Sequence, residues 1–385
     1  MGIKKTLANI VLAGAMALGV VGSCTSNSTE PGISHSQNLP VDRTKPKKDI
    51  SSLIDVLDPN YELSVLAENL GFISCLAVSP SDGRIYFIQQ KEKDWEKQWD
   101  IYELVNGKAE KRFDGGGGAS QSKTFGPSCK ISINSQNQLF VFEQFGEMVE
   151  TKSNIKLYDL KSRKLRYKAD NLVNLTNLRN LIVNPLTDNF LFTVYQLPSG
   201  VNHLRTYQFD TKTNEISLFR NLGDFADGDG DWIKFFGLCF DENNSLHEVW
   251  SKHITKTCLT DNNKEEVKFK DDIWDFFIQN YTQYNARVAG IESSSKKVIL
   301  YGAVEGLMFI TEGRGLEPRV KTGDYIMAID PRSGGISGIA KSLFSPHTIR
   351  SVCIDKNREM YLSVSTPSSF DEKMDGKIVK LSKKK

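Results

Sequence analysis

Six times along the chain an apolar alternation ends in a short polar turn and a β-branched, aromatic run begins. ISCLAVSPSDGRIYFI, residues 73–88, shows the pattern most fully: Leu76 and Val78 alternate, Ser79-Pro80-Ser81-Asp82-Gly83 turns, and Ile85 to Ile88 follow. That order predicts a β-hairpin. Taking the last apolar residue before each turn as an anchor, the copies fall at Val78, Ile133, Val183, Phe240, Ile291 and Ile354. The intervals are 55, 50, 57, 51 and 63 residues.

A second strand pair follows each of the first five hairpins. It reads DIYELVNGKAEKRF (100–113), NIKLYDLKSRKLRYKA (154–169), LRTYQFDTKTNEISLF (204–219), TCLTDNNKEEVKFK (257–270) and YIMAIDPRSGGISGIAK (325–341). Four strands per unit at this period predict an all-β chain, a six-bladed β-propeller of four-stranded blades over residues 51–385. The sixth unit is one strand short, because only GKIVKL (376–381) follows its hairpin. The surplus strand YELSVLAENL (61–70) precedes the first unit. Residues 61–67 are therefore expected to complete the last blade and close the ring, which removes exposed sheet edges.

The N-terminus departs from this pattern. Lys4 and Lys5 precede an apolar run from Leu7 to Val21 that is short and rich in Gly and Ala for a membrane span. The run ends in Val21-Gly22-Ser23-Cys24, which resembles the bacterial lipobox. The resemblance implies a signal peptide over residues 1–23, cleavage before Cys24 and lipidation (a palmitate-type acyl chain) at its sulfur. A lipidated Cys24 holds a protein on a membrane without spanning it. Thr25-Ser26 in place of an Asp pair leans toward the outer membrane or cell surface of a bacterial envelope. Residues 24–50 are polar and Pro-rich, as a flexible tether would be.

The turn motif Val78-Ser79-Pro80-Ser81-Asp82-Gly83-Arg84-Ile85-Tyr86 is similar to that of NHL-repeat and SMP-30/gluconolactonase-like six-bladed propellers. Tyr158-Asp159-Leu160, Phe209-Asp210-Thr211 and Ile329-Asp330-Pro331 resemble the third strands of such blades. The resemblance specifies architecture more than activity, because the fold hosts binders, hydrolases and quinoprotein dehydrogenases. The early Glu-Gly-Pro signature of the lactonases is missing, so their metal-dependent activity is not carried over.

Net charge is +2, which asks for neither nucleic acid nor an anionic membrane as partner. Beyond Cys24 there are five cysteines and no CxxC, so they read as small buried hydrophobes rather than a metal site. Counting back four residues from each anchor gives Ser74, Cys129, Arg179, Phe236, Arg287 and Arg350. In a propeller these lie where the innermost strands begin, at a channel mouth. Three arginines there, with His347 nearby, point to an anionic ligand or protein partner, since guanidinium forks onto carboxylate or phosphate. The alternative is that each pairs with an Asp or Glu of a neighbouring loop or points away from the axis.

DFADGDGD (224–231) offers Asp227, Asp229 and Asp231 as oxygen ligands for Ca²⁺, although the loop lacks EF-hand spacing. Its alternative is a solvated acidic turn. Trp95 and Trp99 read either as exposed partner anchors or as rings folded back on the blade. No catalytic dyad is nameable from motifs. The leading expectation is a membrane-anchored binding module. The rival is a metal-dependent lactonase-like hydrolase or a quinone-dependent sugar dehydrogenase on the same fold.

Overall fold

The structure is a computed structural model. It describes residues 53–90, 99–115, 128–145, 152–173, 175, 178–196, 201–226, 235–269, 287–292, 297–304, 323–342, 349–355, 357, 359–365 and 376–384. The leader, Cys24 and the tether lie outside the described residues, among which there is no helix.

Strands are numbered in chain order. Two precede the first repeat: β1 (Ile54–Val56) and β2 (Tyr61–Leu70). Blade one is β3 (Ile73–Val78), β4 (Ile85–Gln90), β5 (Trp99–Val105) and β6 (Lys108–Asp114). Blade two is β7 (Ser128–Ile133), β8 (Gln138–Phe145), β9 (Lys152–Asp159) and β10 (Lys164–Leu172). Blade three is β11 (Leu178–Val183), β12 (Phe190–Gln196), β13 (Val201–Phe209) and β14 (Ile216–Ala226). Blade four is β15 (Phe235–Phe240), β16 (Leu246–Trp250), β17 (His253–Thr257) and β18 (Lys264–Lys268). Blade five is β19 (Arg287–Glu292), β20 (Lys297–Val304), β21 (Gly323–Ile329) and β22 (Ile336–Ser342). Blade six is β23 (Ile349–Ile354), β24 (Met360–Ser365) and β25 (Gly376–Lys383), completed by β2.

All pairings are antiparallel, and the innermost strands β3, β7, β11, β15, β19 and β23 contact one another in ring order, β23 meeting β3. The chain is a six-bladed β-propeller. Its closure is the one expected, with a longer strand: β2 pairs with β25 from Tyr61↔Lys383 to Leu70↔Gly376. One strand is new. β1 pairs with β22 through Ile54↔Ser342 to Val56↔Ala340, giving blade five a fifth strand. In blade four the third strand is HITKT (253–257), earlier than the stretch from Thr257 suggested.

The core is divided among the blade interfaces. Phe140, Phe142 and Leu157 of blade two pack on Phe190, Phe192 and Phe209 of blade three, with Phe140 and Phe190 ring centroids 4.8 Å apart. Comparable clusters lie between every other neighbouring pair of blades. Each interior phenylalanine stabilises by about 1.5–3 kcal/mol relative to exposure. A blade is thus covered on both faces, so its second strand carries buried apolar residues on both sides. Tyr86 and Ile88 face blade two, while Ile85 and Phe87 face blade six.

The turns are held by their own side chains. In the first turn of blades two, four and six, Asn134, Asp241 and Asp355 accept the backbone N–H of Gln138, Ser245 and Glu359. Gly83, Asn137, Asp188 and Asn244 supply the left-handed residue in the first turns of blades one to four, so Asn or Asp serves where the glycine is missing. In the turns after the third strand, Asp159, Asp210 and Asp330 accept backbone N–H groups two or three residues on. Those N–H bonds hold the three carboxyls below their ordinary range.

Candidate functional site

Five of the six innermost strands carry a β-bulge near their start. The register shifts between Ile73 and Cys75, Leu178 and Asn180, Phe235 and Gly237, Val288 and Gly290, and Ile349 and Ser351. The extra residues are Ser74, Arg179, Phe236, Ala289 and Arg350. Four of these are the positions expected from sequence. Blade five differs: Ala289 takes the bulge, and Arg287 lies two residues earlier, paired with Tyr301. Blade two pairs without a shift.

The residue after the bulge ties blades together. Asn180 Oδ1 accepts the Leu238 N–H at 3.2 Å, and Ser351 Oγ accepts the Leu76 N–H at 3.4 Å. Leu238 and Leu76 each follow their own bulge by two residues. The same device therefore links blade three to four and blade six to one. The first turns also adjoin: Ser79 Oγ donates to Asn137 Oδ1 at 3.0 Å, and the Ser135 N–H donates to Asp188 Oδ1 at 2.9 Å. Corresponding strand ends share one face of the ring, with the first turns on one side (the turn face) and the starts of the innermost strands on the other (the mouth face).

Charge on the innermost strands is unevenly distributed. Lys130, Arg179, Arg287 and Arg350 all fall within the first three residues of their strands. The one carboxylate on these strands, Glu292, is the last residue of β19. Lys130 was missed in the sequence because counting back four in unbulged blade two lands on Cys129. Its Nζ donates to the Arg179 carbonyl at 2.8 Å, which carries a cation from blade two onto blade three.

A carboxylate near this end of blade two is already engaged. Glu143, 1% exposed, accepts Trp99 Nε1–H at 2.7 Å and Asn154 Nδ2–H at 3.3 Å, with Lys156 Nζ at 3.7 Å. Lys156 also sits 4.9 Å from the centre of the Trp99 ring. Trp99 is thus a buried part of the interface between blades one and two and is no exposed anchor.

Two histidine–aspartate pairs escaped motif reading. His203 Nδ1 lies 2.6 Å from Asp224 Oδ1, and Arg205 pairs with the same oxygen. These contacts hold the Asp224 carboxyl below its ordinary range. Residues 203 and 224 are brought together only by the β13–β14 register. On the turn face, Asp241 Oδ2 meets His247 Nε2 and Lys256 Nζ, each at 3.1 Å. Burial pushes the His247 imidazole below its usual value and outweighs Asp241. Burial opposes ionisation of Asp241, but His247, the Ser245 N–H and Lys256 together keep its carboxyl low.

Cys75, Cys129 and Cys239 are buried free thiols, and Cys258 and Cys353 are partly covered. Among the described residues, no group of three or more His, Cys, Asp or Glu side chains could hold a metal ion. Asp227, Asp229, Asp231 and His347 lie outside the described residues, as does Trp95.

No protein-family model matches the chain, and no curated protein does. Solved structures show distant likeness. The extracellular domain of a hybrid two-component system from B. thetaiotaomicron is 10% identical, with a TM-score of 0.40 over 82% of this chain and 34% of that one. The chain thus spans about a third of that protein's length. A Thermus thermophilus protein described as an oxidoreductase (glucose dehydrogenase) is 10% identical, with a TM-score of 0.44 over 84% of this chain and all of that one. A chain of a mitotic checkpoint complex gives 10% and 0.39 over 90% and 98%. At these values the likenesses carry no argument about activity, and the ring rests on its own strand pairing.

Proposed function

We propose that the chain is an exported bacterial lipoprotein, anchored to the envelope through Cys24, whose propeller binds an anionic ligand or an acidic segment of a partner protein at its channel mouth. The observation that carries the binding reading is the gathering of Lys130, Arg179, Arg287 and Arg350 at one end of the innermost strands, with Glu292 at the other. His347, two residues before β23, joins the group in this reading. Arginine suits the role because it stays charged and forks onto carboxylate and phosphate oxygens.

The anchor reading rests on the apolar leader, the Val-Gly-Ser-Cys junction and the polar tether. It is tested by feeding labelled palmitate to cells expressing the full chain. Label should enter the membrane-bound protein and be lost in Cys24→Ser. The binding reading is tested with Arg179→Ala/Arg350→Ala. That variant should lose on the order of a hundredfold in affinity for an anionic ligand recovered with the wild-type protein, two charge-assisted contacts being removed. Equal affinity would reject the mouth as the site.

A further inference from the structure

We propose that the cleft between blades one and two, on the turn face, is a separate binding site for a small molecule bearing a phosphate or carboxylate. The inference does not depend on the mouth. The cleft encloses about 360 Å³, within the range of small-molecule sites. Its charged lining is Asp82, Arg84, Glu103, Arg112, Lys161 and Arg163, four cations against two carboxylates.

Those carboxylates are already used. Glu103, with a side chain 7% exposed, receives Arg112 Nε at 2.6 Å and Arg84 Nη1 at 3.4 Å. Asp82 holds Arg84 Nε at 3.2 Å, and Arg112 Nη2 reaches Glu110 at 2.8 Å. Lys161 and Arg163, on the facing turn of blade two, have no carboxylate within 4.0 Å among the described residues. The well-covered Arg112 and the more exposed Arg84 on one wall face Lys161 and Arg163 on the other, across a space that an oxyanion would fill.

The fold repeats this cleft, and the repeat shows that its charge is not an architectural requirement. Between blades four and five a cavity of about 200 Å³ has the same framework. His247 takes the place of Tyr86, Lys256 that of Glu103 and Arg332 that of Lys161. There Asp241, Glu242 and Glu265 outnumber Lys256 and Arg332. The same recess is cationic at one interface and acidic at the other.

Arg163 adds an independent pointer. It adopts a left-handed φ of 56° in the turn after the third strand, where blades three and five use Asn214 and Gly334. Arginine is a poor choice for that backbone, whereas asparagine and glycine suit it. The chain keeps a strained arginine at the lip of the cationic cleft, as strain retained at a functional position would require.

The test titrates the full chain in detergent at low ionic strength with inorganic phosphate and, separately, with citrate. It is run in the Arg179→Ala/Arg350→Ala background so that the mouth does not contribute. Saturable binding of at least one anion should remain. Adding Lys161→Ala/Arg163→Asn should weaken it by on the order of tenfold or more. Adding Lys212→Ala, the matching lysine of the blade-three turn away from the cleft, should leave it unchanged. Binding of phosphate alone assigns a phosphate monoester, of citrate alone a polycarboxylate, and of both an oxyanion site of either kind. Absence of saturable binding, its survival in Lys161→Ala/Arg163→Asn, or equal loss in Lys212→Ala would overturn the proposal.

Discussion

Arg179 and Arg350 hold the same position in two blades three apart in the ring: each is the extra residue of the bulge that opens its innermost strand. In a ring of six such blades face each other across the axis. A bulge leaves one residue without a ladder partner and re-aims the chain locally. The residue after each bulge, Asn180 or Ser351, then ties its blade to the next. The ties between blades and the proposed anion-binding arginines therefore share one local device.

The tie makes the first prediction. Asn180→Ala leaves the buried Leu238 N–H without its side-chain acceptor and should destabilise the fold by about 1–3 kcal/mol. Ser351→Ala removes a longer bond and should cost about 1 kcal/mol or less. Urea denaturation reads both. Equal stability of wild type and Asn180→Ala would remove the tie from the account of ring closure.

Glu143 should matter more. Glu143→Ala strands the Lys156 ammonium, 7% exposed, and the Trp99 indole N–H inside the blade one–two interface. Breaking a buried pair from one side costs about 3–5 kcal/mol. Glu143→Gln keeps an acceptor for Trp99 and should cost less. Denaturant midpoints followed by tryptophan emission would rank the two, and the reverse order would contradict this assignment.

Arg163 should trade stability for charge. Replacing it with Gly, the residue of the blade-five turn, relieves the left-handed backbone and should stabilise by about 1 kcal/mol. Thermal unfolding at high salt, where surface charge is screened, checks this. A destabilised Arg163→Gly would mean that the arginine side chain supports the turn.

His247 gives the fold an acid-side sensitivity. Burial lowers its folded pKa below the ordinary 6.5, so the unfolded chain binds the proton more readily. Stability from this group is therefore present above about pH 6.5 and lost as pH falls toward its lower folded value, by at most about 1.4 kcal/mol per pH unit. The low Asp241 carboxyl acts in the same direction in the more acidic carboxylate range. His247→Gln should flatten the upper part of the profile between pH 7 and 5. An unchanged slope would assign that sensitivity elsewhere.

The blades were legible in the sequence because a propeller repeats local events. Each anchor precedes a polar stretch of sequence, and Asn137 or Asn244 takes over glycine's left-handed role without hiding the turn. Closure by β2 was legible as a surplus strand matched to a deficit. β1 was not, since three residues, Ile54–Val56, carry no readable period. The bulge positions were partly legible. Counting from anchors lands on the bulge residues Arg179 and Arg350, but the bulge sits elsewhere in blade five and blade two pairs without one, so Arg287 lies off that position and Lys130 was passed over. The cleft of Arg84, Arg112, Lys161 and Arg163 joins two blades, and no spacing along the chain announces it.

The most direct test of the mouth is an experimental structure of the protein purified from its native membrane with whatever it carries. An anionic group is expected on the ring axis within hydrogen-bond distance of the Arg179 and Arg350 guanidiniums. An axis free of any anion, with both guanidiniums paired to Asp or Glu side chains of adjoining loops, would contradict it.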